Sequence, residues 1–315
     1  MSWHTEPLAG FDLETTGINV ETARIVTAAV VDYKPGDSID TLPDRARLWL
    51  SDVGGMAIPA QATAVHGITM EVARANGRPA AQVADEIADV LAAALSTGIP
   101  VVAMNGRYDF TVLDRELRRY QLRTLRERLG GETTPGPAID PYVIDKQADK
   151  YRKGSRKLEA LAAHYGVTLA AAHTADADAL AAVQVAVAIA EKYPEVQVDP
   201  QQLHVWQIRW AAQQAAELQA HLRRMDPHVV VDAEWPLVQL TPERQLRGTL
   251  DDLLERWAPM ANCADDAPEM AHGRAHGYRK ALADVRDVLR TGRIPHDLMT
   301  DAELEQHGTP EEATR

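Results

Sequence analysis

The chain has 315 residues, 45% of them hydrophobic and 5% aromatic, with one cysteine and a formal net charge of −13. That length holds a full α/β domain plus a smaller unit, the lone Cys263 excludes an intrachain disulfide, and no apolar run reaches the length of a membrane helix. The acidic balance argues against a protein that coats long nucleic acid, whose surface would be basic throughout. The opening MSWHTEPLAG lacks a basic start followed by an apolar stretch, so no secretory leader is expected and the cytoplasm is the expected compartment.

LAGFDL reads as a strand entering a core, ended by the turn TTG. RIVTAAVVDY is a β-branched run suited to a neighbouring strand, with KPGDS as the turn after it, and RARLWL alternates well enough to be a third. Residues 80–95 place apolar side chains at helical spacing. PVVAMN is a short buried strand. RYDFTVLDRELRRYQL is a helix with Phe110, Leu113 and Leu117 inward and its arginines outward. AIDPYVID is expected to be the next strand, closed by Pro141. Helices over 156–165 and 176–192 follow. Strands clustered early, then strand–helix alternation, predict an α/β fold with a mixed sheet flanked by helices.

From about residue 196 the pattern becomes mainly α-helical. A helix over 201–225 contains Trp206 and Trp210 and precedes the extended HVVVDAEWPLVQL. Helices over 243–258 and 270–291 are separated by a loop around Cys263 and Asp265, and a polar tail closes the chain. The expected organisation is a first domain over 1–195, a helical extension over 196–295 and a flexible tail over 296–315. Packing against the first domain is the expected role of Leu203, Trp206 and Trp210.

Three short segments carry most of the chemistry: FDLETTG with Asp12 and Glu14, NGRYDF with Asp109, and HTADAD with His173 and Asp178. Asp12 and Glu14 lie two apart on a strand, so they leave it on the same face, as sharing a cation requires. Asp109 falls in the first turn of a helix, where the helix dipole favours a carboxylate; taken alone it would read as a cap. His173 and Asp178 are five apart, which on one helix would put them on different faces. A helix beginning after His173 places Asp178 in its first turns and the imidazole on the approach. Four carboxylates cannot stay ionised side by side without strong positive charge between them. Oxygen donors without cysteine favour two divalent cations, Mg²⁺ or Mn²⁺, over zinc. Such a site with one imidazole suits phosphodiester hydrolysis, in which cations flank the attacking and leaving oxygens.

In this order and company the three segments resemble the exonuclease motifs of the DnaQ-like (DEDDh) 3′–5′ exonucleases, over roughly residues 6–192. The segment IPAQATAVHGIT, residues 58–69, is similar to one near the terminal base in proofreading members. The resemblance implies a ribonuclease H-like fold, with Asp12, Glu14, Asp109 and Asp178 as metal ligands. It makes His173 the general base, and its H-x-A-x-x-D spacing selects Asp178 over Asp176, which reads as a helix-start residue. It also implies substrate contacts from Leu13, Thr15, Thr16, Val65, His66 and Asn105, with the backbone at Thr15 and Thr16 on the terminal 3′ hydroxyl. For His66 a loop-closing hydrogen bond is an equal alternative.

The implied partner is a nucleic-acid 3′ end. Threonine after the glutamate in DLETTG resembles the DNA-acting branch, while an RNA-trimming enzyme of the same fold, or a scaffold that binds without turnover, are the alternatives. The extension could also dock a polymerase or a second copy of the chain. The first 195 residues hold 20 basic against 26 acidic residues and the rest 13 against 20, so a phosphate-tracking surface must be local. Lys146, Lys150, Arg152, Lys153, Arg156 and Lys157 are its first candidates. A second cluster, Arg115, Arg118, Arg119, Arg123, Arg126 and Arg128, reads as a solvated helix face.

Overall fold

The structure, a computed structural model, describes residues 2–36, 45–131, 134–169, 174–257 and 269–291. Its central sheet contains β1 (Leu8–Thr15), β2 (Ile25–Tyr33), β3 (Ala46–Leu50), β4 (Val101–Val102) and β5 (Ala138–Ile139) in the order β3-β2-β1-β4-β5. β1 and β3 pair antiparallel with β2, whereas β4 runs parallel to β1 and β5 parallel to β4. Between and after the strands lie α1 (Ala60–His66), α2 (Met70–Asn76), α3 (Ala80–Ser96), α4 (Arg107–Arg119), α5 (Leu125–Arg128), α6 (Pro141–Ala148), α7 (Leu158–Tyr165) and α8 (Ala175–Lys192). They are followed by α9 (Pro200–Leu222), α10 (Pro242–Trp257) and α11 (Glu269–Thr291). This is the mixed, helix-flanked ribonuclease H-like sheet expected, followed by a helical C-terminal region.

Alternation along β1 decides which face meets which helices. Phe11 and Leu13 point into an apolar cluster with Ile87 and Leu91 of α3 and Phe110, Leu113 and Leu117 of α4; the Phe11 and Phe110 rings lie 5.8 Å apart. Gly10, Asp12 and Glu14 share the opposite face. There α8 lies directly on the strand: a Cβ on Gly10 would sit 2.6 Å from the Ala179 carbonyl oxygen and 2.9 Å from Val183 Cγ2. The alanine-rich inner face of α8, including Ala175, Ala179, Ala182 and Ala186, permits this approach. A second cluster, with Leu8, Val102, Ile139, Ile144, Leu161 and Ile189, fills the remaining layer.

Two strand boundaries differ from those expected, each for a local reason. AIDPYVID is a two-residue strand followed by α6, because Asp140 caps the helix and Pro141 occupies its first turn. Its carboxylate accepts the Tyr142 N–H at 2.9 Å, and proline is preorganised for that position. PVVAMN keeps only Val101 and Val102 in strand conformation, since Asn105 turns the chain with φ of 55°. IPAQATAVHGIT forms α1 and leads into α2; Gly67, at φ 76°, ends the first and the Thr69 hydroxyl caps the second. HVVVDAEWPLVQL makes no strand. Its Val238 N–H donates to Thr111 Oγ1 at 2.9 Å, and its Trp235 Nε1–H to Asp140 Oδ2 at 3.3 Å.

The chain divides into two compact units, Met1–Gln239 and Leu240–Arg315. The first includes α9, whose Leu203 is fully buried in the second cluster, with Trp206 and Trp210 partly buried beside it. Side chains of α9 also complete the outer edge of β5. His204 Nδ1 accepts the Ala138 N–H at 3.1 Å, Gln207 Oε1 accepts the Asp140 N–H at 2.7 Å, and Gln207 Nε2 donates to the Ala138 carbonyl at 3.0 Å. In the second unit α10 and α11 meet through Leu254, Tyr278, Leu282 and Val285. The loop around Cys263 and Asp265 and the tail 296–315 lie outside the described residues. Among those residues no helix is long and apolar enough to cross a membrane.

Gly10→Ala should lower stability by about 1–3 kcal/mol through overpacking between β1 and α8. The denaturant midpoint should fall at unchanged slope; an unchanged midpoint would show that α8 has room to retreat.

Candidate active site

Asp12 and Glu14 occupy the end of β1 nearest its last residue, on the face that α8 covers. The first turn of α8 carries Asp176 and Asp178, with Thr174 at the N-cap position. Because Gly10 lets α8 touch β1 at Ala179, the neighbouring Asp178 is brought to the two strand acids. One carboxylate oxygen from each of Asp12, Glu14 and Asp178 lies within 4.8 Å of the other two.

Asp109 approaches from the adjoining helix. It sits in the first turn of α4, 4% exposed, and its Oδ1 accepts the Leu13 N–H at 3.1 Å, between the two strand acids in sequence. Burial pushes its carboxyl well above the usual range, against the pull of its own and the Leu13 backbone amides, with Asp140 and Glu14 adding to the rise. On Asp12 every resolved influence acts in one direction. Burial raises its carboxyl most, followed by the charges of Asp109, Asp178 and Glu14. The structure thus gathers three of the four acids into one cluster and sets the fourth against the backbone between two of them.

The turn leading into α4 is held by a residue that the sequence reading did not single out. Asp140 Oδ1 accepts the Asn105 N–H at 3.0 Å and Oδ2 the Gly106 N–H at 3.1 Å. Almost fully buried, its carboxyl is pushed up to about 6, burial outweighing those hydrogen bonds. Asp140 thereby fixes where α4 begins and hence where Asp109 stands. An aspartate directly before a proline was the available signal, since that pair marks a helix start.

The remaining predicted residues take different positions. Leu13 is buried and offers its N–H to Asp109. Asn105 is exposed in left-handed conformation, one that asparagine tolerates better than most residues. Thr15 and Thr16 form the turn after Glu14: Thr16 N–H donates to the Arg24 carbonyl at 3.0 Å, and Arg24 N–H to Thr16 Oγ1 at 2.9 Å. Val65 is 54% exposed on α1, and the neighbouring His66 is buried. His66 Nδ1 accepts the Ile68 N–H at 3.1 Å, which is the loop-closing bond. Burial lowers the His66 pKa, against a smaller opposing pull from the Thr15 backbone, so α1 reaches the same turn. His173 lies outside the described residues.

The basic segments are organised otherwise than expected. Arg152 and Arg156 turn inward to the fully buried Asp145, at 3.3 Å and 2.8 Å, and Tyr165 also donates to it at 2.7 Å. Lys150 pairs with Glu217 at 2.8 Å, while Lys153 and Lys157 are exposed. Nor do all the arginines of α4 form a solvated face, although Arg118 is exposed. Arg115 is 4% exposed, gripping Glu21 at 2.7 Å and Asp114 at 2.7 Å, and Arg119 pairs with the buried Glu116. Beyond α4, Arg128 pairs with Asp85 and Asp89 of α3.

A family model described as Exonuclease, of the RNase T type, matches residues 9–186, more than half of the chain. No curated protein matches by sequence. Solved structures similar to the chain include a zinc-bound complex of E. coli ExoI with ssDNA, at 19% identity and a TM-score of 0.49, over 61% of this chain and 42% of that one. Another is Exonuclease I from Methylocaldum szegediense, at 20% identity and a TM-score of 0.49, over 68% of this chain and 45% of that one. The chain therefore spans less than half the length of these structures. The matched stretch runs from β1, with Asp12 and Glu14, through Asp109 on α4 to Asp178 on α8, and the chain belongs to the RNase T-type exonuclease family.

Proposed function

We propose that the protein is a metal-dependent 3′–5′ exonuclease that releases nucleoside 5′-monophosphates from DNA ends. The observation that carries this reading is the convergence of Asp12, Glu14 and Asp178 within 4.8 Å, in a chain of an exonuclease family. Three carboxylates this close, with the Asp12 carboxyl raised first by burial and then by its acidic neighbours, form a donor set short of positive charge. All its donors are hard oxygens, which fits Mg²⁺ or Mn²⁺. Asp12, Glu14 and Asp178 would hold the cations, with Asp109 completing the set. When bound, the cations supply charge stabilisation to the attacking and leaving oxygens.

The protein's own groups do the rest. His173 takes the proton of the attacking water. The backbone at Thr15 and Thr16 seats the terminal sugar, with Leu13 beside it; Val65 and His66 meet the last base, and Asn105 lines the approach. Residues 1–195 form the catalytic module, and α9 at the start of the 196–295 extension supports it by covering β5. With Arg152 and Arg156 committed to Asp145, no continuous cationic track is built from the predicted basic segment. A few nucleotides of a single-stranded or frayed end are therefore the substrate that the surface suits. Threonine at position 15, as in the DNA-acting branch, favours DNA over RNA.

The direct test is digestion of matched DNA and RNA oligonucleotides labelled at the 5′ end, with Mg²⁺ or Mn²⁺, beside an Asp12→Asn control. A DNA ladder shortening from the 3′ end and absent in the control is expected; equal ladders from both proteins would sink the assignment. His173→Ala should slow the wild-type rate about a hundredfold, and unchanged turnover would remove His173 from the mechanism.

Metal binding should also show in stability. The raised carboxyls of Asp12 and Asp109 favour the protonated folded state, so without cations they destabilise the fold at neutral pH, and the penalty fades as pH falls toward the unfolded value of about 4. Cations bind the ionised form, so Mn²⁺ should raise Tm most at neutral pH and progressively less on acidification. Metal-free Asp12→Asn should be at least as stable as the metal-free parent at pH 7 while losing the Mn²⁺ effect. A Tm gain in Asp12→Asn equal to the parent's would place the cation elsewhere.

A further inference from the structure

We propose that the Tyr108 hydroxyl is a positioning group that holds the Thr15–Gly17 turn as the seat for the substrate's terminal sugar; this rests on the exonuclease reading above. Tyr108 stands one residue before Asp109 in the first turn of α4, and the turn it touches begins one residue after Glu14. Its Oη lies 2.5 Å from Thr15 Oγ1 and donates to the Gly17 carbonyl in a short bond. Thr15 Oγ1 lies 3.0 Å from the same carbonyl. Two hydroxyl protons thus serve three oxygens, which closes one compact unit joining α4 to the end of β1.

That turn depends on polar contacts. The pairing register of β1 with β2 shifts between Glu14 and Thr15, so the regular ladder ends where the turn begins. Ile18, the next residue beyond Gly17, is 95% exposed and supplies no packing. On the far side the reciprocal bonds between Thr16 and Arg24 fix the return of the loop. Arg115 adds two bonds to Glu21, at 2.7 Å and 3.0 Å. The near side is fixed by Tyr108 and Thr15. A phenyl ring at 108 would keep the half-buried packing and lose both hydroxyl contacts.

A site that hydrogen-bonds a substrate hydroxyl discriminates against an end lacking it only when its own groups are held in place and cannot relax. Tyr108 supplies that rigidity without touching the substrate. Its removal therefore loosens the choice of terminus more than it disturbs the fold.

The test compares kcat/KM for two matched DNA oligonucleotides, one ending in a 3′ hydroxyl and one in a 2′,3′-dideoxy sugar. The enzymes are wild type, Tyr108→Phe, Thr15→Val and the double variant, each checked by Tm. Wild type should prefer the hydroxyl end. Tyr108→Phe should shrink that preference about three- to tenfold, chiefly through a higher KM on the hydroxyl end. Thr15→Val should do the same, and the double variant should be no worse than the worse single, because both act through one hydrogen-bonded unit. If Tyr108→Phe fails to fold, Thr15→Val carries the comparison. An equal fall on both substrates, leaving the ratio unchanged, would reduce Tyr108 to a structural residue and overturn the proposal, as would a wild type indifferent to the terminal hydroxyl. A wild type that trims neither oligonucleotide overturns the exonuclease reading itself, whereas trimming with a preference unaffected by Tyr108 overturns this assignment alone.

Discussion

Repulsion among acids at the end of β1 is the force that the surrounding structure has to hold. Asp12 feels Asp109, Asp178 and Glu14 together, in a setting where burial already disfavours its charge. Left to themselves these side chains would separate into solvent. They are kept together because the elements bearing them are fixed by other contacts. Gly10 lets α8 sit on β1, Leu13 gives its amide to Asp109, and Asp140 secures the turn from which α4 starts. Local rules are broken at one place, and the packing around it is regular enough to sustain that. Such a pattern marks a functional site more strongly than any single residue in it.

Much of this was legible in the sequence because it is written in short-range patterns. The i, i+2 spacing of Asp12 and Glu14 fixes their common face once β1 is recognised as a strand, and the alternation of Phe11 and Leu13 with them makes that recognition secure. The helix starting after His173 follows from the five-residue spacing, and α8 begins at Ala175. What escaped depends on distant partners. Nothing near Asp140 reveals that it will accept amides from residues 105 and 106, or that Trp235 will reach it from ninety-five positions away. Nor does a run of arginines in a helix show whether acids elsewhere will claim them, as Glu21 claims Arg115. β4 and β5 are shorter than expected for a local reason instead: Asn105 turns the chain after β4, and Asp140 with Pro141 starts a helix directly after β5.

The internal pairing of the arginines changes how the net charge of −13 should be understood. Arg115, Arg119, Arg128, Arg152 and Arg156 are joined to acids of the same unit. They brace helices and loops, and little of their charge is projected into solvent. With bound cations the acids at the end of β1 would become a source of local attraction for a phosphodiester in an otherwise acidic surface. Association driven by a few charges at one point is less sensitive to salt than the wrapping of a long polyanion.

The cover over β5 has a bearing on how this chain behaves in company. A strand at the margin of a sheet exposes a row of unpaired amides and carbonyls that can recruit a strand from a neighbouring molecule. At β5 the amide and carbonyl of Ala138 and the amide of Asp140 are engaged by His204 and Gln207 of α9. A glutamine carboxamide carries a carbonyl acceptor and N–H donors side by side, so it can present to the strand the pair a peptide group would. The helix thus imitates a sixth strand while lacking the outer row of groups that a real one would expose. Growth of the sheet by intermolecular strand addition is closed off on this side for as long as α9 stays docked.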